Sequence, residues 1–313
     1  MSRYRRTTGL LVALLGAGVA VASMLGPLVF DVLRYRTSDT TVNQVMGGDL
    51  AGLVVVAPTA LVAGAMLWRG HHAGPVVALA PALWAVYMYA QLIVGQEYLQ
   101  LPGNNERFFP LLLALFVTGE AVAVLAWRAV DAGRLPALPQ RLERTAGVVL
   151  LVLAAFLVVG LHLPSLVDAM AVEPTSIEYT SSPTAFWIVK LMDLGIIVPA
   201  AVVIGVGLLR GAVWARKAGY AIFGGYTLLA AAVAGMAVVM YVSADPDASL
   251  VNVAAFSGFT VAIGWLTARL YRPLFTTPRP AAGDAGSALP VDGEHADRSE
   301  VVGSWRRATQ LER

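Results

Sequence analysis

Residues 186–210 read FWIVKLMDLGIIVPAAVVIGVGLLR. A helix rising about 1.5 Å per residue needs about 20 apolar residues to cross a hydrocarbon core, and this stretch has the length and the apolarity to do so. It nevertheless carries Lys190 and Asp193 near its start. Three residues apart, the two share a helical face and can pair. Charge is costly inside a membrane, so a pair retained there is either a structural staple or part of a site. Pro199 follows in the same run; a proline in a membrane helix frees a backbone carbonyl and bends the helix toward a cavity.

The composition agrees with a chain built for lipid. Hydrophobic residues make up 58% and charged residues 13%, against roughly 45–50% and 25% in soluble domains. The mean hydropathy is +0.69. A net charge of +2 gives no footing for nucleic acid. With no cysteine in the chain, disulfides, iron–sulfur clusters and thiolate metal sites are excluded.

Further apolar runs occur at 9–33, 49–69, 73–95, 109–129, 145–167, 217–242 and 250–272, which with 186–210 makes eight. The first follows a basic start, MSRYRR, and contains the cleavage-like triplet Ala20-Val21-Ala22 of a signal peptide. Its length, and a counterpart later in the chain, make it the first transmembrane helix. Basic residues set the orientation. With the N-terminus in the cytoplasm, Arg69, Arg128, Arg134, Arg141, Arg144, Arg210, Arg216, Lys217, Arg269 and Arg272 fall on that side, and Arg34, Arg36 and Arg107 on the other. Both termini are therefore expected in the cytoplasm, with the chain placed in the plasma membrane.

The two halves match when laid together. Arg6-Thr-Thr-Gly9 recurs as Arg144-Thr-Ala-Gly147, Pro27 and Asp31 as Pro164 and Asp168, and Pro58 to Arg69-Gly70 as Pro199 to Arg210-Gly211. Asp49 and Asp193 fall near one another in the equivalent helices, three residues out of register. The expected fold is an all-α polytopic membrane protein of eight transmembrane helices, arranged as two parallel four-helix repeats at 1–135 and 140–275. An even number of spans per repeat relates the halves by an axis along the membrane normal. The tail 276–313, rich in Pro, Gly, Ala and charge, cannot bury a core and is expected to be disordered and cytoplasmic. The second helix of each half ends in the pattern GxxLxRG, at Gly64–Gly70 and Gly205–Gly211. In this the four-span unit resembles DoxX-type small membrane proteins, a resemblance that implies no activity or site residue here.

Candidate binding residues for a substrate or ion are Glu120, Lys190 and Asp193. Glu120 stands deep in the fourth span beside Thr118 and Gly119, where a carboxyl is expected to be protonated or to face protein. Asp31, Asp49 and Asp168 form a second tier, within an acidic rim that also includes Glu97, Glu173, Glu178, Asp245 and Asp247. Tyr87, Tyr89, Gln91 and Tyr226 add polarity to the third and seventh spans. Methionines gather toward one side, with His162 at their level, yet no compact thioether cluster makes a copper site. His71, His72 and His295 lie outside the spans, so haem ligation is not expected, and no metal or other cofactor is assigned. HExxH, GxSxG, Walker A and dinucleotide fingerprints are absent, so nothing points to an enzyme.

Three functions fit this reading. The first is a secondary transporter or ion-coupled permease, its cavity between the halves lined by Glu120, Lys190 and Asp193. The second is a quinone-interacting redox subunit without its own metal. The third is a noncatalytic membrane scaffold for a membrane protein partner. The bilayer is the one partner common to all three.

Overall fold

A computed structural model describes residues 3–276, and among these the chain is helical throughout, with no strand. Eight helices are long and apolar enough to cross a membrane. They are α1 (Arg3–Leu25), α2 (Asp39–Trp68), α3 (Gly74–Val94), α4 (Asn105–Ala129), α5 (Gln140–Ala169), α6 (Pro183–Leu209), α7 (Val213–Val242) and α8 (Leu250–Thr276). The end of the bundle where α1 begins and α8 stops is here the near end; the opposite one is the far end. The expected tail lies outside the described residues, save Thr276.

Several ends differ from the sequence reading. The first helix stops at Leu25, because Gly26-Pro27 opens a turn in which Asp31 takes a positive φ of 52°. The second starts earlier than expected, at Asp39, since the Ser38 hydroxyl caps it by accepting from the Thr41 N–H. Thr40, Asn43 and Gln44 thus form extra turns below the apolar run.

Consecutive helices pack on one another from α1 to α4 and again from α5 to α8, and α1 also touches α4. Between the two sets, α7 lies against α2 and α3, and the start of α6 meets α3. Burial follows from this. The most apolar windows of α3 and α7 are each 61% buried, those of α4 and α8 only 22% and 17%. The outward faces remain apolar, with Val54, Val152, Leu191, Val261 and Trp265 exposed, as a surface solvated by lipid requires.

α2 and α6 share an unusual course. Each widens into a π-helical segment, Gly52–Val56 and Asp193–Ile197, two residues ahead of Pro58 and Pro199. A proline has no N–H to donate, and its ring crowds the carbonyl one turn back, so a wider turn relieves the clash. Each helix then ends on an arginine, Arg69 or Arg210, followed by a glycine with φ of 76° at Gly70 and 69° at Gly211. α5 also has a π segment, Phe156–His162, just before Pro164. α1 has none, because Pro27 falls beyond its end.

Close backbone approach fixes the pairs. A Cβ on Gly9 would sit 2.9 Å from the Gly64 carbonyl, and one on Gly147 2.8 Å from that of Gly205. Tighter still, a Cβ on Gly47 of α2 would collide with the backbone of Met236 in α7, and one on Gly235 with the Gly47 carbonyl. Side-chain insertion here displaces helix against helix. Gly235→Leu is therefore expected to cost about 3 kcal/mol or more, at or above the usual range for overpacking. Gly258, with open space around it, is the control: in thermal melts followed by size-exclusion, Gly258→Ala should match the parent and Gly235→Leu should not.

Candidate functional site

The π segment of α6 begins at Asp193 and turns its carboxylate inward, where two neighbours meet it. The Tyr87 hydroxyl of α3 donates to one oxygen at 2.6 Å, and His162 Nε2 of α5 lies 2.9 Å from the other. His162 is itself buried, its side chain 2% exposed. Its second nitrogen, Nδ1, is buried without a hydrogen-bond partner. From α7, the Tyr226 hydroxyl donates to the Ile197 carbonyl at 2.5 Å, within the same π segment. Four helices thus converge on one carboxylate and the loosened turn that presents it.

An imidazole and a carboxylate are both groups that can hold a proton. A neutral imidazole donating from Nε2 leaves Nδ1 as a bare acceptor; a protonated ring puts an unpaired N–H there. The Asp193 carboxylate can support either form, and Tyr87 can donate to it in both.

Lys190 and Asp193 do not pair, contrary to the expectation from their spacing. Among the described residues Lys190 joins no ion pair. Its ammonium lies 4.3 Å from the centroid of the Phe186 ring, a cation–π contact. The reason is directional: Asp193 is taken up by His162 and Tyr87, while Lys190 turns to a cleft at the far end. That cleft encloses ≈ 740 Å³ of space, its open mouth included, and is lined by α2, α3, α6 and α7.

Glu120 is exposed on the outside of α4, in a stripe with Leu113, Val117, Val124 and Trp127. The structure does not bring it together with Lys190 and Asp193. Asp31 is an exposed turn residue bridging Arg34 at 2.8 Å. Asp168, at the end of α5, accepts from Thr175 and Ser176 and closes the following turn. Both are occupied with local structure.

Asp49 is the exception in the second tier. It is buried in α2, accepts from the Tyr35 hydroxyl at 3.0 Å, and has a side-chain hydrogen bond to Ser23. Burial, then the charge of Asp49, pushes the Tyr35 phenol well above its ordinary value, so Tyr35 stays a donor throughout the usable pH range. Among the described residues no cation pairs with Asp49, and no three His, Asp or Glu side chains converge as a metal site.

His162 is the partner of Asp193 that the sequence alone does not disclose; there it stands only at the level of the methionines, as a metal-ligand candidate. The signal present is Pro164 two residues on, which follows the π segment that ends at His162. These features define a helical multi-pass membrane protein with a part-buried His–Asp–Tyr cluster. No family model matches the chain, and no curated protein or solved structure is detectably similar to it, so the DoxX-like helix ends carry no assignment.

A double-mutant cycle tests the cluster. Tyr87→Phe and Asp193→Asn should show a coupling of about 1–2 kcal/mol in unfolding from mixed micelles, the range for interhelical hydrogen bonds in membrane model peptides. Simple additivity would mean that the Tyr87–Asp193 bond contributes nothing.

Proposed function

We propose that the protein is a proton-coupled secondary transporter in which Asp193 and His162 hold the exchanged proton. One observation carries the reading: a part-buried imidazole–carboxylate pair stands at a π segment, next to a cleft bordered by both sets of helices. Ionisable groups kept inside membrane helices mark proton and substrate pathways, and broken helices at the interface of two repeats commonly form the site.

The same reading takes the eight spans as two copies of a four-helix unit, 1–135 and 140–275. Supporting it are the paired π segments ahead of Pro58 and Pro199, the paired Arg–Gly ends, and the Gly9–Gly64 and Gly147–Gly205 approaches. On this plan α3 and α7 flank the axis. The bias of basic residues to the near end supports a cytoplasmic placement of both termini, with the plasma membrane as the compartment.

The test is electrical. In proteoliposomes on a solid-supported membrane, under an imposed pH gradient, a panel of organic anions, organic cations, sugars and amino acids should evoke a current for at least one class. Asp193→Asn and His162→Ala should reduce that current about 10-fold or more, the scale of losing a positioned proton-transfer group, while inserting normally. Silence across the panel, or currents that survive Asp193→Asn, overturns the proposal.

A second reading, association with a membrane partner through α4, is favoured by Glu120. A carboxyl left against hydrocarbon is expensive, and a second helix laid over the stripe would cover it. The chain has no cysteine, so a single Val124→Cys reports cleanly. Oxidation should give a disulfide-linked dimer if a second copy covers α4; a monomer at all oxidant concentrations counts against self-association.

A further inference from the structure

The far-end cleft has a chemistry that the Asp193 cluster does not use. Lys190 is only 6% exposed, yet among the described residues it makes no hydrogen bond and no ion pair. Its ammonium lies over the face of Phe186, and the Glu178 and Asp193 carboxylates attract it from beyond ion-pair distance, yet none of these gives its three N–H donors an oxygen acceptor. Gln91, on the same lining, has a buried amide nitrogen of which one N–H faces the Tyr87 hydroxyl and the other has no acceptor. Two donors on one cleft therefore lack acceptors. A buried ammonium whose N–H groups have no oxygen acceptor is disfavoured, which is a reason for an oxyanion to complete the site.

The remaining lining decides which anion. Met88, Met236, Val45 and Ile188 supply apolar walls, and methionines adapt to irregular chains. Glu178 borders the same cleft, exposed and without an ion pair, and its charge opposes a second negative charge on the ligand. We infer that the cleft binds an amphiphilic monoanion, a singly charged oxyanion head held by Lys190 and Gln91 with its apolar tail on the Met88 and Met236 wall. A fatty-acid carboxylate and the phosphodiester of an anionic lipid share this chemistry. As cargo, the ligand deepens the transport proposal and rests on it; as a bound ligand it needs only the cleft.

Equilibrium dialysis on the full chain in phosphatidylcholine nanodiscs tests this at fixed pH, where flux plays no part. Labelled decanoate should bind saturably at one site per chain. Lys190→Met should weaken it about 10-fold or more, the scale of a lost charge-assisted contact, and Lys190→Arg should restore most of it. Decanol should bind about 10-fold more weakly than decanoate, and inorganic phosphate should not compete. Should Lys190→Met not fold, Gln91→Leu serves instead, with an expected loss of about 3-fold or more. Phosphatidylglycerol added to the nanodiscs displaces decanoate if the natural ligand is a lipid headgroup, and leaves it bound if the site is restricted to free acids; either outcome keeps the site.

Non-saturable decanoate binding, equal affinity for decanol, or binding untouched by Lys190→Met and Gln91→Leu overturns it. Decanoate binding together with a silent current panel would retain the cleft and remove transport. Currents to other solutes without decanoate binding would do the reverse.

Discussion

In hydrocarbon, a backbone carbonyl that loses its helical partner has no water to turn to. Pro58, Pro164 and Pro199 each remove a donor from the middle of a long helix, and each is preceded by a π segment. Much of the bundle follows from how this is absorbed. In α6 the Ile197 carbonyl, at the end of the widened turn, accepts from the Tyr226 hydroxyl, which ties α7 to it. The same widening presents Asp193 to α3 and α5, so backbone relief and site geometry share one cause.

The centre of the molecule is polar by the standards of its surroundings and tightly packed by any standard. α3 and α7 carry Tyr87, Gln91 and Tyr226 into the interior while meeting the glycine contact of Gly47 with Gly235 close by. Small residues let backbones approach until van der Waals contact replaces the missing hydrophobic drive between helices in lipid. Some interior hydroxyls then find partners on neighbouring helices, as Tyr87 does on Asp193 and Tyr226 on the Ile197 carbonyl.

The sequence disclosed the eight apolar helices because hydropathy acts over whole windows, and single misjudged residues do not alter the count. Helix ends were less legible. Leu25 and Asp39 are set by a Gly-Pro turn and a serine cap, local features that an apolar run overshoots or truncates. Of the candidate site, Asp193 and Lys190 stood out as charges within a span. Spacing suggested that they pair, and that is the point at which one-dimensional reasoning failed: sharing a helical face says nothing of what the other helices offer. His162 lies 31 residues from Asp193 in sequence, and only tertiary packing joins them. Glu120 shows the converse, since depth along α4 was readable but the direction of its side chain was not.

The far-end loops have a mechanical consequence. Glu97 accepts from both the backbone N–H and the hydroxyl of Thr184 at the start of α6, and Thr37 and Ser38 bond Ser182. Cross-links of this directional kind join the two helix sets at that end. At the near end, the contacts between them include Lys217 over Trp127 and His71 against Phe275, which tolerate sliding far better than a bidentate clasp does. Directional bonds thus staple the two sets at the far rim, and any rocking of one set against the other would pivot about those loops and open toward the end where the chain begins.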